Sequence, residues 1–283
     1  MEIEGPLISI VIVNFNYGRF LESAILSILN QEVKNVELIV IDGGSTDNSV
    51  EILKKYADHI NYWVSEPDKG QSEAFNKGFA KAKGKYLTWL NADDVLMPGC
   101  LRQVIDTMRR YPTCEWFTGN YFKFLDDGTV IKIGWGPRYV PFCLQRKGWP
   151  ISVYGPTSFF SKKLFDRVGG MNVDLHLMMD IDLWIRFILA GAKQRRVNCF
   201  CWAFRMHEAS KTASYEGHIL SNEKRARFKI EDQMSYGKAG YKPSKTIYWV
   251  LKIWRVMDGS AFKYLWLRMF FKKVELERIE GLQ

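Results

Sequence analysis

The first 94 residues alternate short apolar runs with segments of helical periodicity, and this alternation limits the possible folds more than any other feature of the chain. Leu7–Val13 is a nearly continuous run of apolar, mostly β-branched residues, which is typical of a parallel strand covered on both faces. Apolar runs at 36–41, 60–64 and 86–90 repeat the pattern, and the segments between them carry apolar residues at helical spacing. This order predicts an α/β fold with a Rossmann-like, mostly parallel sheet flanked by helices.

The pattern changes after residue 98. A helix is predicted near 101–111, and the Gly-, Pro- and aromatic-rich sequence that follows, through residue 156, predicts short antiparallel strands and loops. Another amphipathic helix is predicted to begin near Asp180.

Composition excludes several classes of protein. Of the 283 residues, 47% are hydrophobic and 25% are charged, as in an ordinary globular protein. No apolar stretch approaches the ~20 residues of a membrane span, and the acidic start of the chain is not expected to be a signal peptide. The five cysteines form no C-x-x-C pair, so neither a disulfide framework nor a zinc site is indicated, and a reduced, cytoplasmic location is expected.

The positive charge is concentrated at the end of the chain. The net charge is +9, and residues 223–283 contribute +7 of it through 14 Lys and Arg against 7 Asp and Glu. The remaining 222 residues are close to neutral, so no nucleic-acid partner is predicted for them.

Residues 86–94 join an apolar, aromatic run to the polar cluster Asn91-Ala92-Asp93-Asp94. In an open α/β sheet, ligands bind beyond the carboxyl ends of the strands, so this cluster lies where a site is expected. Two adjacent carboxylates repel each other unless a cation or a proton intervenes, and Mg²⁺ or Mn²⁺ takes such oxygen ligands and shares them with a substrate phosphate. The alternative is an acidic turn, because Asn and Asp are common turn formers.

Together with polar clusters at 14–17, 42–47 and 179–184, this motif resembles the family 2 glycosyltransferases with a GT-A-type fold. The resemblance covers roughly residues 7–210, and its segments stand in the family's order: Ser9–Asn16, Val40–Asp47, Ala74–Gly78, Leu90–Asp94 and Asp180–Trp184. It implies transfer of a sugar from a nucleotide-sugar to an acceptor hydroxyl with inversion at the anomeric carbon.

The resemblance also implies a division of the chain. A catalytic domain at 1–215 would consist of a nucleotide-sugar half at 1–98 and an acceptor half at 99–215. A basic, amphipathic helical extension would follow at 216–283.

The donor is expected at the edge of the sheet formed by the first strands. By resemblance it contacts Asn14, Asn16, Tyr17, Asp42, Lys69, Asn91 and Ala92. The turn at 14–17 offers backbone groups and an aromatic face to the base and ribose, and Asp42 offers a carboxylate to a nucleobase N–H, with a UDP-sugar as the expected donor. The alternatives are an Asx turn or helix cap for Asp42 and a solvated loop position for Lys69.

Asp93 and His207 are the expected ligands of a Mn²⁺ or Mg²⁺ ion, which would stabilise the departing nucleoside diphosphate as a Lewis acid. The family's metal motif resembles Asp-x-Asp, and Asn91 stands at its first position here. The site has one negative charge fewer, so we expect weakened rather than abolished metal affinity, since Asp93 and Asp94 remain. The alternative for His207 is a structural or surface role.

The acceptor side is expected around Asp180, which matches the family's general base, the group that takes the proton of the attacking hydroxyl. The alternative for Asp180 is an N-cap of its helix. Asp182 is expected to cap or orient this helix, because positions i and i+2 face different directions. Trp149, Tyr154 and Trp184 offer faces on which a sugar could stack, with core packing as the alternative for each.

Residues 244–283 form two amphipathic segments that combine Trp and Phe with Lys and Arg. This pattern is typical of helices that lie in an anionic membrane interface. Helices docked on the catalytic domain, or a contact between subunits of a homo-oligomer, are the alternatives. With the cysteine usage, the segments indicate a cytoplasmic protein held at the inner face of the cytoplasmic membrane.

The sequence therefore predicts an inverting, metal-dependent glycosyltransferase acting on a lipid-linked or surface glycan in polysaccharide biosynthesis. The rival interpretation, prompted by Asn91, is a sugar-nucleotide-binding protein without transferase activity. A nucleotidyltransferase of similar fold is disfavoured because its Gly-rich, basic phosphate loop is missing. A Rossmann dehydrogenase is disfavoured because no G-x-G-x-x-G follows the first strand.

Overall fold

The computed structural model describes residues 5–137, 153, 155–208, 210 and 222–237. Its strands are β1 (Ile8–Asn14), β2 (Val36–Asp42), β3 (Tyr62–Ser65), β4 (Tyr86–Asn91), β5 (Val95–Leu96), β6 (Trp116–Leu125), β7 (Val130–Gly134), β8 (Ser158–Ser161) and β9 (Gln194–Met206). Its helices are α1 (Gly18–Leu29), α2 (Ser49–Lys55), α3 (Gln71–Lys81), α4 (Cys100–Arg110), α5 (Lys162–Arg167), α6 (Met179–Leu189) and α7 (Asn222–Gly237). The strands form one sheet in the order β3-β2-β1-β4-β8-β6-β9-β5, and β7 pairs with β6 outside this path.

The parallel half of the sheet brings the polar strand ends to one edge. β1 lies between β2 and β4 and is parallel to both, and β3 is parallel to β2. The register pairs Asn14 with Asp42, Asp42 with Ser65, and Val13 with Asn91. The predicted α/β fold with a mostly parallel sheet is therefore confirmed, and the carboxyl ends of these strands converge as expected for such a sheet.

The second half of the sheet is more regular than predicted. Where short antiparallel strands and loops were expected, β6 runs for 10 residues and pairs in parallel with the 13-residue β9, a strand that the sequence analysis missed. β9 begins Gln194-Arg-Arg, and these polar residues hide the strand pattern. β8 is antiparallel to both β4 and β6 and joins the two halves.

Hydrophobic clusters cover both faces of the sheet. One face packs against α1 and α4, and the other against α3, α5 and α6. The contact between α3 and β1 is especially close at Gly78, where an added Cβ would lie 2.4 Å from Cγ1 of Val11. This packing holds α3 close against β1.

Helix α7 lies beyond the predicted domain boundary at 215 and packs on the rest of the protein. Its Phe228 and Met234 contact the hydrophobic cluster that includes Leu183 and Trp184 of α6. The described part of the chain contains no helix with the length and apolar character that crossing a bilayer would need. The predicted membrane segment at 244–283 lies outside the described residues, as do Trp149 and Tyr154.

Candidate active site

Asp42 ties the ends of β1, β2 and β3 together. Its carboxylate accepts hydrogen bonds from Nδ2 of Asn14 (2.6 Å), Oγ of Ser65 (2.5 Å), and both the backbone N (2.9 Å) and Oγ (2.5 Å) of Ser45. Burial would raise the pKa of the Asp42 carboxyl, but these donors outweigh it and the net pKa is lowered. Asp42 is 0% exposed, so in this structure it shapes the turn, and its contact with a nucleobase stays a prediction.

The turn at 14–17 is braced against the loop after β2. Asn16 adopts a positive φ of 56°, its backbone N donates to Oγ of Ser45 (2.7 Å), and its Oδ1 accepts from the backbone N of Thr46 (2.8 Å). The side chain of Asn14 is buried in the Asp42 network. Asn14 and Asn16 therefore stabilise the conformation of the turn. A nucleotide-sugar bound here would contact mainly the backbone of the turn.

The aromatic face of this turn comes from a residue that the sequence analysis did not select. Phe15 is 58% exposed, whereas Tyr17 is half-buried, with its ring centroid 5.6 Å from that of His207. Burial raises the pKa of the Tyr17 hydroxyl, and the nearby charge of Asp93 adds to the rise. The position of Phe15 inside the polar 14–17 turn was the signal that could have identified it.

The loop before α3 lies against the same edge of the sheet, beside Gly43. A Cβ on Gly43 would lie 2.8 Å from Oδ2 of Asp68 and 3.3 Å from Cδ2 of Phe15, so this position accommodates only glycine without displacing its neighbours. Asp68 accepts a hydrogen bond from the backbone N of Gly70 (2.7 Å). Lys69 is exposed and its backbone N donates to Glu73, so its diphosphate contact stays a prediction.

The turn after β4 separates the two adjacent carboxylates. Asp94 is fully buried and accepts from Nδ2 of Asn91 (2.8 Å) and the backbone N of Arg205 (3.0 Å). Burial raises the pKa of Asp94 well above its ordinary value, and the neighbouring Asp93 raises it further. Oδ1 of Asn91 accepts from Gln71 (3.1 Å), and the side chain of Ala92 lies in the core, so any contact of Ala92 with a donor would use its backbone.

Asp93 and His207, which the sequence analysis named as metal ligands, meet in the structure. Oδ2 of Asp93 lies 3.1 Å from Nε2 of His207, and their side chains are 13% and 1% exposed. Two neighbouring ligands of an octahedral ion at about 2.1 Å are separated by about 3 Å, so the pair fits one shared cation. The described residues contain no cluster of three His, Cys, Asp or Glu around this point, so an ion held here would take its other ligands from water and a diphosphate.

Arg19 determines which nitrogen of His207 carries the proton in this arrangement. Nη2 of Arg19 lies 3.2 Å from Nδ1 of His207, and a guanidinium can only donate. Nδ1 must then accept, and the ring proton resides on Nε2, facing Asp93. A cation bound by Nε2 would replace this proton, and the guanidinium would have to leave Nδ1.

Asp180 lies in the first turn of α6, with its Oδ1 accepting from the backbone N of Ile181 (2.8 Å). The N-cap residue of α6 is Met178, so Asp180 does not occupy the N-cap position that was the alternative to its role as the base. Asp182 pairs with Arg186 (2.7 Å), whose Nη1 donates to the carbonyls of Val168 and Gly170, both at 2.7 Å. Asp182 thus orients the helix, as expected.

Two consecutive residues at the start of α3 connect the turn after β4 to the helix of Asp180. Gln71 donates to Asn91, and Oγ of Ser72 contacts both the carbonyl of Leu175 (2.7 Å) and Sδ of Met179 (3.1 Å). The start of α3 therefore contacts both the turn that carries Asp93 and the segment that leads to Asp180. Trp184 offers no face to a sugar, since it is 0% exposed and stacks between Trp89 and Trp116 in the core.

The chain belongs to glycosyl transferase family 2, because the model of this family, "Glycosyl transferase family 2", matches residues 9–169. The family predicted from the sequence motifs is thereby confirmed.

Two curated relatives illustrate the sequence similarity. An uncharacterized glycosyltransferase of Rickettsia prowazekii (strain Madrid E) is 30% identical over 190 residues, which are 65% of this chain and 59% of the relative. The chondroitin synthase of Escherichia coli is 24% identical over 244 residues, which are 85% of this chain and 34% of the synthase. The chain thus spans about three fifths of the length of the first relative and about a third of the second.

Two solved structures illustrate the similarity of the fold. S. aureus TarS 1-349 in complex with UDP-GlcNAc has a TM-score of 0.59 and 15% identity, over 73% of this chain and 60% of TarS 1-349. The mannosyltransferase PcManGT of Pyrobaculum calidifontis, in complex with GDP-Man and Mn²⁺, has a TM-score of 0.56 and 17% identity, over 74% of this chain and 59% of its own. At these identities the likeness is one of fold.

Proposed function

We propose that this protein is an inverting glycosyltransferase that moves a sugar from a UDP-sugar to an acceptor hydroxyl by single displacement. The observation that carries the proposal is that Asp93 pairs with His207 on a turn whose Asn91 is bonded to Gln71, while the next residue, Ser72, contacts the helix that bears Asp180. Single displacement needs a base on the acceptor side and positive charge on the diphosphate side. In this proposal Asp180 is the base, and Asp93 with His207 holds the cation that supplies the charge. The nucleotide-sugars in the structures of TarS and PcManGT are consistent with this class of donor.

In this proposal, Asp180 takes the proton of the acceptor hydroxyl while that oxygen attacks the anomeric carbon. Its half-buried position favours this role, because a partly desolvated carboxylate has few waters to lose before it meets the hydroxyl. Ile181 donates to Oδ1 of Asp180 and orients the carboxylate. Phe15 and the backbone of the 14–17 turn receive the base and ribose.

Asp93 and His207 would hold a Mn²⁺ or Mg²⁺ ion, which supplies positive charge to the diphosphate as the sugar leaves. The Mn²⁺ in the structure of PcManGT is consistent with this assignment. Asn91 contributes no charge because its amide is neutral, and that amide is bonded to Asp94 and Gln71. Asp94 is turned into the protein and holds Arg205 rather than a ligand.

The acceptor in this proposal is a lipid-linked or surface glycan, and the protein works at the cytoplasmic face of the membrane. The concentration of Lys, Arg, Trp and Phe in residues 244–283 supports the location, because such segments bind anionic lipid surfaces. The four described cysteines are free and buried, which is consistent with a reducing compartment.

The test is release of nucleoside diphosphate from a panel of nucleotide-sugars, measured with Mn²⁺, Mg²⁺ or EDTA. Metal-dependent release from one donor, lost in Asp180→Asn, would identify the donor and support the assigned base. Tight donor binding without turnover, even with candidate acceptors added, would favour a sugar-nucleotide-binding protein, the alternative that the neutral Asn91 suggests. Absence of both binding and turnover would contradict the proposal.

A further inference from the structure

The start of α6 is held by a carboxylate that comes from α7. Glu231 accepts hydrogen bonds from three consecutive backbone N–H groups, those of His176 (3.1 Å), Leu177 (2.7 Å) and Met178 (2.9 Å). Met178 is the N-cap of α6, and it makes no side-chain capping hydrogen bond among the described residues. The group that satisfies these donors is therefore supplied by another helix.

The carboxylate of Glu231 is buried and paired at both oxygens, unlike a side chain in a surface contact. Glu231 is 2% exposed, and Nε of Arg227, one turn earlier in α7, lies 3.2 Å from its Oε1. Burial would raise the pKa of the carboxyl, but the three N–H groups and Arg227 outweigh it, so the net pKa is lowered. The ionised carboxylate also interacts favourably with the positive end of the α6 dipole.

The opposite side of the same segment is fixed by α3. Oγ of Ser72 donates to the carbonyl of Leu175, while Asn76 bonds the backbone N (2.8 Å) and O (2.9 Å) of Met171. Residues 171–178 are thus held between α3, which also contacts Asn91 through Gln71, and α7. Asp180 follows this segment by two residues.

We propose that Glu231 is a positioning residue for the catalytic base: by binding the N–H groups of residues 176–178 it fixes the start of α6 and so the place of Asp180. The inference rests on the proposed function, since it takes Asp180 as the base. It assigns a catalytic purpose to α7, which lies outside the family match at 9–169. Displacing a reacting group by about 1 Å can cost about 100-fold in rate, so a carboxylate that holds the base needs no contact with substrate.

The test compares Glu231→Gln with Asp232→Asn, which makes the same acid-to-amide change on the next residue of α7. The amide that replaces the Glu231 carboxylate would turn an NH₂ group toward either a backbone N–H or Arg227, so it cannot serve all these donors. We expect kcat to fall about tenfold or more in Glu231→Gln, with the donor KM and the nucleotide Kd within about twofold of wild type. Asp232→Asn should leave all three unchanged.

Glu231→Asp keeps the charge and provides a second variant in case Glu231→Gln does not fold. Its shorter side chain cannot reach all three N–H groups, so kcat should fall with donor KM unchanged, and hydrogen exchange should become faster at residues 176–178. The inference is overturned if both variants turn over as wild type, or if their donor KM rises in parallel with the loss of kcat.

Parallel assays of Asp180→Asn separate this inference from the proposed function. If Asp180→Asn is inactive while Glu231→Gln turns over normally, the positioning role fails and the base assignment stands. If Asp180→Asn turns over as wild type, the base assignment fails and the positioning role fails with it. If wild type uses no donor, the proposed function itself fails, and so does the positioning role.

Discussion

Nε2 of His207 lies 3.1 Å from Oδ2 of Asp93, although 114 residues separate the two along the chain. On the other side of the ring, Arg19 donates to Nδ1. The imidazole therefore lies between a carboxylate that would share a cation with it and a guanidinium that would oppose binding of that cation. This relationship gives the metal hypothesis a specific test.

His207→Gln is expected to weaken Mn²⁺ binding by about tenfold or more, because it removes a nitrogen ligand from the Asp93 pair. The measurement is Mn²⁺ titration by calorimetry in the presence of nucleoside diphosphate. Arg19→Ala is the matched variant. It should bind Mn²⁺ as tightly as wild type or more tightly, because it releases Nδ1. Loss of affinity in Arg19→Ala equal to that in His207→Gln would contradict the assignment.

Asp180→Asn is expected to lower kcat by about 10²- to 10⁴-fold with little change in donor Kd, because it removes the proton acceptor and leaves the donor contacts in place. Asp182→Asn provides the control on the same helix. It should lower the free energy of unfolding by about 2 kcal/mol, since it weakens the bond to Arg186, and should keep most of the turnover. Steady-state kinetics and urea unfolding of both variants distinguish the loss of a proton acceptor from a loss of stability. Equal losses of kcat would count against Asp180 as the base.

Asp42→Asn is expected to cost about 3 kcal/mol of unfolding free energy at pH 7, because four hydrogen bonds to a buried carboxylate are weakened. The pKa of Asp42 is lower in the folded protein than its ordinary 3.8, so its ionisation stabilises the fold above pH 3.8. That contribution is lost as the pH falls through the folded-state pKa. Urea unfolding of both proteins from pH 7 to pH 3 should therefore show the difference shrinking, and a constant difference would be inconsistent with this role.

Phe15→Ala is expected to weaken nucleotide binding about tenfold without destabilising the fold, because the ring is 58% exposed at the donor edge and offers a stacking face. Leu189→Ala is the control, since Leu189 is 61% exposed at the end of α6. Fluorescence titration with UDP and thermal unfolding provide the two measurements. Unaltered UDP affinity in Phe15→Ala would remove this residue from the donor site.

Deletion of residues 244–283 is expected to abolish binding to anionic phospholipid vesicles, because this segment carries the clustered basic and aromatic residues. Co-sedimentation with anionic and zwitterionic vesicles at low and high salt measures the effect. Retention of vesicle binding after the deletion would exclude the segment as the anchor.

The sequence alone determined the fold class, the order of the elements in the first half of the chain and the family, because these depend on local patterns. The strand at 8–14, the helix at 71–81 and the polar turn after residue 91 can each be recognised within a dozen residues, through apolar period and turn chemistry. Asp93 and Asp180 could be selected because each stands in a short motif that resembles one of the family's, and His207 because it resembles the late histidine of this fold.

Which polar groups find their partners within the protein depends on the tertiary structure. Asp42 and Asn91 are predicted as donor contacts from the sequence, and the structure adds that they bond to Ser65 and Gln71 within the protein. Nothing in the segment around Glu231 marks it as the partner of three N–H groups more than 50 residues away. A buried polar group must be paired, but its partner is chosen by how distant segments pack, and a local pattern does not contain that choice.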